Sequence, residues 1–167
     1  IHGFTLIELV VTMVVVSILV AIAVPNLRTL IQNARITTHV NNLISDLNYA
    51  RSEAIKRRIN IAVCQSTNGT ACTGGNWKSG HLIFVDTDKN GALGAAEVVL
   101  RFRGADGGAD NTLVLTGANP IFLASGMTTG LTNFTFCDDR GATKGKAVTL
   151  NNTGQAAVSP TAPTTCN

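Results

Sequence analysis

Between Phe4 and Val24 the sequence has no lysine, arginine or aspartate, and its only polar side chains are Thr5, Glu8, Thr12 and Ser17. Elsewhere other things are scarce. There is no Cys-x-x-Cys spacing, and the three histidines (His2, His39, His81) are scattered, which argues against a zinc site. No nucleophile–base pair, phosphate-cradling glycine loop or cofactor fingerprint is present, so an enzyme is the weakest reading and no cofactor is implied. Charged residues make up 14 % of the chain and aromatics 5 %. The net charge of +3 is not spread evenly. Segment 25–58 carries six cations against two acids, whereas 59–167 carries seven of each, unlike a uniformly basic nucleic-acid binder. Neither an internal repeat nor a long low-complexity tract occurs.

What is present begins with the apolar run 4–24. As a helix it is about 30 Å long, the thickness of a bilayer's hydrocarbon core, and it is apolar all round. A secretory signal peptide would have a shorter core, a basic flank and a small-residue cleavage site. Here the helical pattern continues beyond Pro25, where a missing N–H and a steric clash predict a kink or local break. Past it, Val40, Leu43, Ile44, Leu47, Ala50 and Ala54 recur at helical spacing, while His39, Asn42, Asp46, Asn48 and Glu53 occupy the other positions. The cationic turn Lys56–Arg58 suits a helix C-terminus.

Short apolar runs bounded by Gly, Asn or Asp then predict strands at 59–64, 81–86, 98–102, 112–115, 121–124, 133–137 and 147–150. Gln65–Gly75 reads as a loop, and the tail Ser159–Cys166, with Pro160 and Pro163, as irregular. Helix first and strands after indicates an α+β fold, with the outer half of the long helix laid on a β-rich head. The chain divides into residues 1–3, an apolar helix 4–24, an amphipathic helix 25–58 and a globular head 59–167. Four cysteines, all in the head, fit two disulfides in an oxidising compartment. Closing neighbouring segments pairs Cys64 with Cys72 and Cys137 with Cys166, although sequence leaves the connectivity open.

Gly3-Phe4-Thr-Leu-Ile-Glu8, an apolar helix and then Pro25 resemble the N-terminus of type IV pilins and type II secretion pseudopilins. The resemblance implies that a prepilin peptidase cuts between Gly3 and Phe4 and N-methylates Phe4, leaving residues 1–3 as the end of a leader. It further implies that Glu8 neutralises the Phe4 amine of the adjacent subunit during assembly; the plainer reading is a tolerated polar residue near a helix end. A second resemblance lies in the head. Trp77–Asp86, then Asp88-Lys-Asn-Gly91 and Glu97–Arg101, and later Cys137-Asp-Asp-Arg-Gly141, look like the GspH/FimT-type minor pilin domain. The implied protein is a structural subunit at or near the tip of a type IV pilus, supporting assembly, twitching, adhesion and DNA uptake. The implied partners are other pilins through helix packing, the inner membrane before assembly, and the peptidase. Its head is expected in the periplasm and then on the extracellular fibre. A type II secretion minor pseudopilin is the alternative, and a DNA-binding tip module the second.

Three head motifs have competing readings. Asp86-Thr-Asp88-Lys-Asn90-Gly91 followed by Glu97 has the ligand spacing of a calcium loop, but its flanks read as strands, and an Asn-Gly turn is the simpler account. Asp138-Asp139-Arg140 reads as a strand-end turn with an Asp–Arg pair. For DNA, the Gly-Arg-x-Arg motif implied by some relatives is replaced by Gly154-Gln-Ala-Ala157, which leaves only a weak patch of Arg140, Lys144 and Lys146, so nucleic acid is not expected as a partner. Trp77 reads as a core anchor. Asn68, Asn133 and Asn151 match the N-glycosylation pattern but read as turn or strand residues.

Overall fold

The computed structural model describes residues 5–74, 77–105, 112–116 and 118–166. Gly3 and Phe4, the proposed processing junction, lie outside the described residues, as does His2. The chain forms two compact units, residues 1–35 and 36–167.

The first unit consists of the N-terminal part of helix α1 (Leu6–Arg57). Thr5 caps it: its hydroxyl accepts the N–H of Glu8 three residues on, the Thr-x-x-Glu arrangement of a capping box. Within the apolar run, Thr12 and Ser17 donate their hydroxyls to the carbonyls of Leu9 and Val14, at 2.9 and 2.8 Å. Of the kink or local break expected at Pro25, the break does not occur; α1 is continuous through it. Proline removes only the bond to the carbonyl of residue 21, and two side chains add local bonds around it. Asn26 donates to the Ile22 carbonyl at 3.1 Å, and Thr29 to the Pro25 carbonyl at 3.1 Å.

In the second unit α1 continues to Arg57 and stops because Arg58 takes a left-handed conformation, φ 58°. Its apolar stripe is buried much as the periodicity indicates: Val40, Leu43, Leu47, Ala50 and Ala54 are at most 2 % exposed, Ile44 is half-buried, and Ile36 joins them one turn earlier. Against it pack two antiparallel sheets. The first has the order β3-β2-β1-β5, from β1 (Ile61–Gln65), β2 (Gly80–Val85), β3 (Val99–Gly104) and β5 (Ile121–Phe122). The second runs β4-β6-β7-β8, from β4 (Thr112–Thr116), β6 (Thr132–Cys137), β7 (Lys146–Leu150) and β8 (Ala156–Val158). Strand β8 lies in a stretch not expected to be extended; three small or branched residues beside β7 suffice once the Gly154 turn brings the chain back. Strand β5 is shorter than the run 121–124, because Leu123–Gly126 closes a turn.

One core joins the helix stripe to Ile61, Val63 and Ile83 of the first sheet and Phe134, Phe136, Val148 and Leu150 of the second. Trp77 sits within it, its ring edge-on to Phe134 at 5.0 Å. The opposite face of the first sheet is also covered: Ala62, Cys64, Leu82, Phe84 and Ile121 form a second cluster under Cys72 and Leu93. Both faces of β1 and β2 are therefore buried. Disulfides join Cys64 to Cys72 and Cys137 to Cys166. The first ties the 66–72 loop to β1; the second ties the tail to the end of β6.

Candidate functional site

Two features of the molecule carry information about function: the apolar surface of the first unit and the polar organisation of the head. Along the first unit no side chain is packed away from Thr5 to Ile31; Leu6 is 82 % exposed, Met13 66 % and Leu30 65 %. Large branched and linear apolar side chains cover every side of this stretch, and Glu8 is the only acid in it. A soluble globular chain does not leave so continuous an apolar surface in water, so the stretch must meet lipid or protein. By length and composition α1 can cross a membrane. Pro25 marks no change in this exposure, since Leu27 and Ile31 beyond it remain open.

In the head the best-built polar centre is one that sequence reasoning placed on the outside. Asp46, expected on the polar face of α1, is fully buried. Its carboxylate accepts from His81 Nε2 at 2.9 Å and from Arg101 Nη1 at 3.0 Å, and it receives a two-pronged contact from Arg103, Nε at 2.5 Å and Nη2 at 3.1 Å. Arg101 also lies over the Tyr49 ring at 3.8 Å. Burial pushes the Asp46 carboxyl up, but the hydrogen bonds and charges of His81, Arg103 and Arg101 outweigh it and hold the group far below the usual carboxylate range. Strand register explains the convergence. Arg101 and Arg103 are two residues apart on β3, hence on one face, and His81 is the cross-strand partner of Arg103. Asp46 borders the apolar stripe, three residues after Leu43 and four before Ala50. An acid beside a stripe, with an Arg-x-Arg strand elsewhere, was the available signal. The cluster fastens the β2–β3 ladder to α1.

The acidic loop after β2 brings its carboxylates together. Ligand oxygens of Asp86, Asp88 and Glu97 lie within 4.8 Å of one another. Asp86 is buried, which raises its pKa, and the nearby Asp88 and Glu97 add to that rise against the Gly91 N–H. Main-chain donors already engage the oxygens. Asn90 and Gly91 donate to Asp86 at 3.2 and 3.1 Å; Thr87 and Gly94 donate to Glu97 at 2.7 and 2.9 Å; Ala92 donates to the Asn90 side chain at 2.6 Å. Lys89 and Gly91, both at positive φ, make the turn. The arrangement is that of a self-bonded loop between two strands.

Two of the three cations weighed as a DNA patch have protein partners. Arg140 forks onto Asp138, Nε to Oδ1 at 3.1 Å and Nη2 to Oδ2 at 2.6 Å, and Asp138 is held below its usual range despite burial. Lys146 donates to Thr37 at 2.9 Å, and Lys144 lies in the short turn Ala142–Lys144. Gly154, which opens the stretch Gly154–Ala157, is a tight turn at φ 76°.

An apolar helix capped at Thr5 and continuing into the core of a two-sheet head defines a pilin-like subunit, a structural class. Comparison of the sequence with family models bears directly on this. Residues 39–154 match the model described as type II transport protein GspH, and residues 1–24 match the prokaryotic N-terminal methylation motif. The chain belongs to the GspH family. Among solved structures, two crystal forms of the type IV minor pilin FimU from Pseudomonas aeruginosa share the fold. One has a TM-score of 0.66 at 23 % identity, covering 81 % of this chain and 98 % of that one. The other has a TM-score of 0.60 at 21 % identity, covering 78 % and 99 %. The minor pseudopilin EpsH from the type 2 secretion system of Vibrio cholerae aligns with a TM-score of 0.46 at 12 % identity, over 74 % and 94 %. A search of curated protein sequences finds no match.

Proposed function

We propose that this chain is a minor subunit of a type IV pilus, built in at or near the tip and supporting pilus assembly, and through it twitching and adhesion. The observation that carries the reading is the apolar surface from Leu6 to Ile31, exposed on all sides and holding one acid. Such a surface has two apolar media to move between. Before assembly the helix 4–24 holds the chain in the inner membrane as a single span, with the head in the periplasm. On assembly it leaves the bilayer and buries the same surface against the helices of other pilins in the fibre core. Prepilin peptidase frees and methylates Phe4 by cutting after Gly3. Glu8 then offers a carboxylate to the Phe4 amine of the neighbouring subunit, since a charge in an apolar medium requires a partner. The segment 25–58 carries the head, 59–167, to the fibre surface.

Membership of a family described by type II transport favours a second reading, a minor pseudopilin of a secretion system. One experiment separates the two. The gene is deleted, and piliation, twitching, DNA uptake and exoprotein secretion are scored in the same strain. Loss of piliation and twitching with normal secretion supports the pilus subunit. Loss of secretion with intact pili overturns it in favour of the pseudopilin, and loss of DNA uptake alone in favour of a DNA-handling tip.

A further inference from the structure

On the outward face of the second sheet a groove of about 300 Å³ runs between strands β6 and β7 and the C-terminal tail. Its floor is Asn133 and Thr135 of β6 with Thr149 of β7; its wall is the tail, with Thr161, Thr164 and Thr165. Cross-strand pairing sets Asn133 beside Thr149 and Thr135 beside Ala147, so small and hydroxylated side chains meet on this face where exposed sheets ordinarily carry charges. None of the described lining residues is charged or aromatic. The tail is held at both ends. The Ser159 N–H donates to the Ala147 carbonyl at 2.8 Å, and Cys166 is bonded to Cys137. Between them Pro163 packs against Gly145 so closely that a β-carbon there would lie 2.9 Å from the proline ring. A wall fixed in this way is preorganised, and little ordering remains to be done on binding.

From this geometry we infer that the groove is a binding site for an uncharged polyhydroxylated chain, a neutral glycan. Hydroxyl and amide groups both donate and accept, which matches sugar hydroxyls. With no cation among its described lining residues the groove offers little to a phosphate backbone or an acidic sugar, and a lining rich in hydroxyls penalises a lipid tail or apolar peptide. The volume, at the low end for ligand sites, takes a mono- or disaccharide unit of a longer chain. The inference does not rest on fibre assembly, because binding is read on the isolated subunit.

The test uses the full chain in a detergent without a sugar headgroup, applied to a printed array of neutral, sialylated and uronate-containing oligosaccharides and a thymidine oligonucleotide. Binding confined to neutral glycans is expected. The best of them should then shift the backbone amide resonances of Thr135, Thr149 and Thr164 saturably. Thr149→Arg and Thr164→Arg each place a long cation in the groove and should weaken binding at least about tenfold. Should Thr149→Arg fail to fold, Thr164→Arg, on the exposed tail, keeps the test intact. No binding to any neutral glycan, preference for acidic glycans or DNA, or undiminished binding by a folded variant would each overturn the assignment.

Discussion

Replacing Asp46 by Asn tests the central claim about the head, that one buried carboxylate fastens the β2–β3 ladder to the helix. The substitution keeps the size of the side chain but removes its charge and can turn an NH₂ toward guanidinium groups that only donate. Arg101, Arg103 and His81 all point at this carboxylate. Breaking a buried ion pair by removing one partner costs about 3–5 kcal/mol. Arg101 and Arg103 keep 40 % and 32 % of their side-chain surface in water, so both can rehydrate, and the lower end, about 3 kcal/mol, is expected. With an unfolding entropy of about 2.1 cal/mol/K per residue over the second unit, residues 36–167, that lowers the Tm by roughly 11 °C. Trp77 is the only tryptophan, buried 5.6 Å from His81, so its fluorescence reports the unfolding of this region in the intact, detergent-solubilised chain. The pH dependence gives an independent check. The folded-state pKa of Asp46 is depressed, so its contribution is fully present above the unfolded carboxylate pKa of about 3.9 and is lost as pH falls below that. Wild type should therefore lose more stability than Asp46→Asn between pH 4 and pH 2. A variant within about 0.5 kcal/mol of wild type at pH 7, with a parallel acid limb, would refute the reasoning.

Further outcomes can be checked separately. Glu8→Ala should leave the head's Tm unchanged yet nearly abolish recovery of the subunit in sheared fibres, measured by immunoblot; Glu8→Gln, which keeps a capping group without the charge, should fail in the same way if the charge matters. Removing Cys137–Cys166 should destabilise the head more than removing Cys64–Cys72, about 3.6 against about 2.5 kcal/mol from the loop lengths, read by urea unfolding of the two double Cys→Ser variants. Gly154→Ala places a β-carbon 2.0 Å from the Gly126 carbonyl oxygen at φ 76°, and should cost at least about 2 kcal/mol and strip hydrogen-exchange protection from β8. Leu47→Ala, 1 % exposed between helix and sheets, should cost about 2–5 kcal/mol by the same urea assay.

Much of this fold was legible because its signals are local. The apolar run, the stripe from Val40 to Ala54 and the cationic end of α1 follow from side-chain spacing, and most strands lie within two residues of the apolar runs that indicate them. Strand β8 was illegible because Ala156–Val158 is too short and weakly apolar to stand out; the register of β7 supplies what its own sequence lacks. The local break offered at Pro25 as one of two expectations did not follow, because a rule about one hydrogen bond says little about a helix of 52 residues whose other bonds persist. Asp46 misled for a different reason. Charge normally means solvent, and only the long-range pairing that aligns His81 with Arg103 reveals the cations that reverse it. The glycan groove is equally non-local, assembled from strands and a tail whose residues are individually unremarkable polar ones.

The hydroxyls of Thr12 and Ser17 have one more implication. Each returns its proton to a carbonyl of its own helix, so neither asks anything of whatever surrounds that helix. Transfer from one greasy environment to another then trades van der Waals neighbours without exchanging polar partners. On the proposed assembly reading, moving this helix from lipid to the helices of other subunits would leave both hydroxyl bonds unchanged.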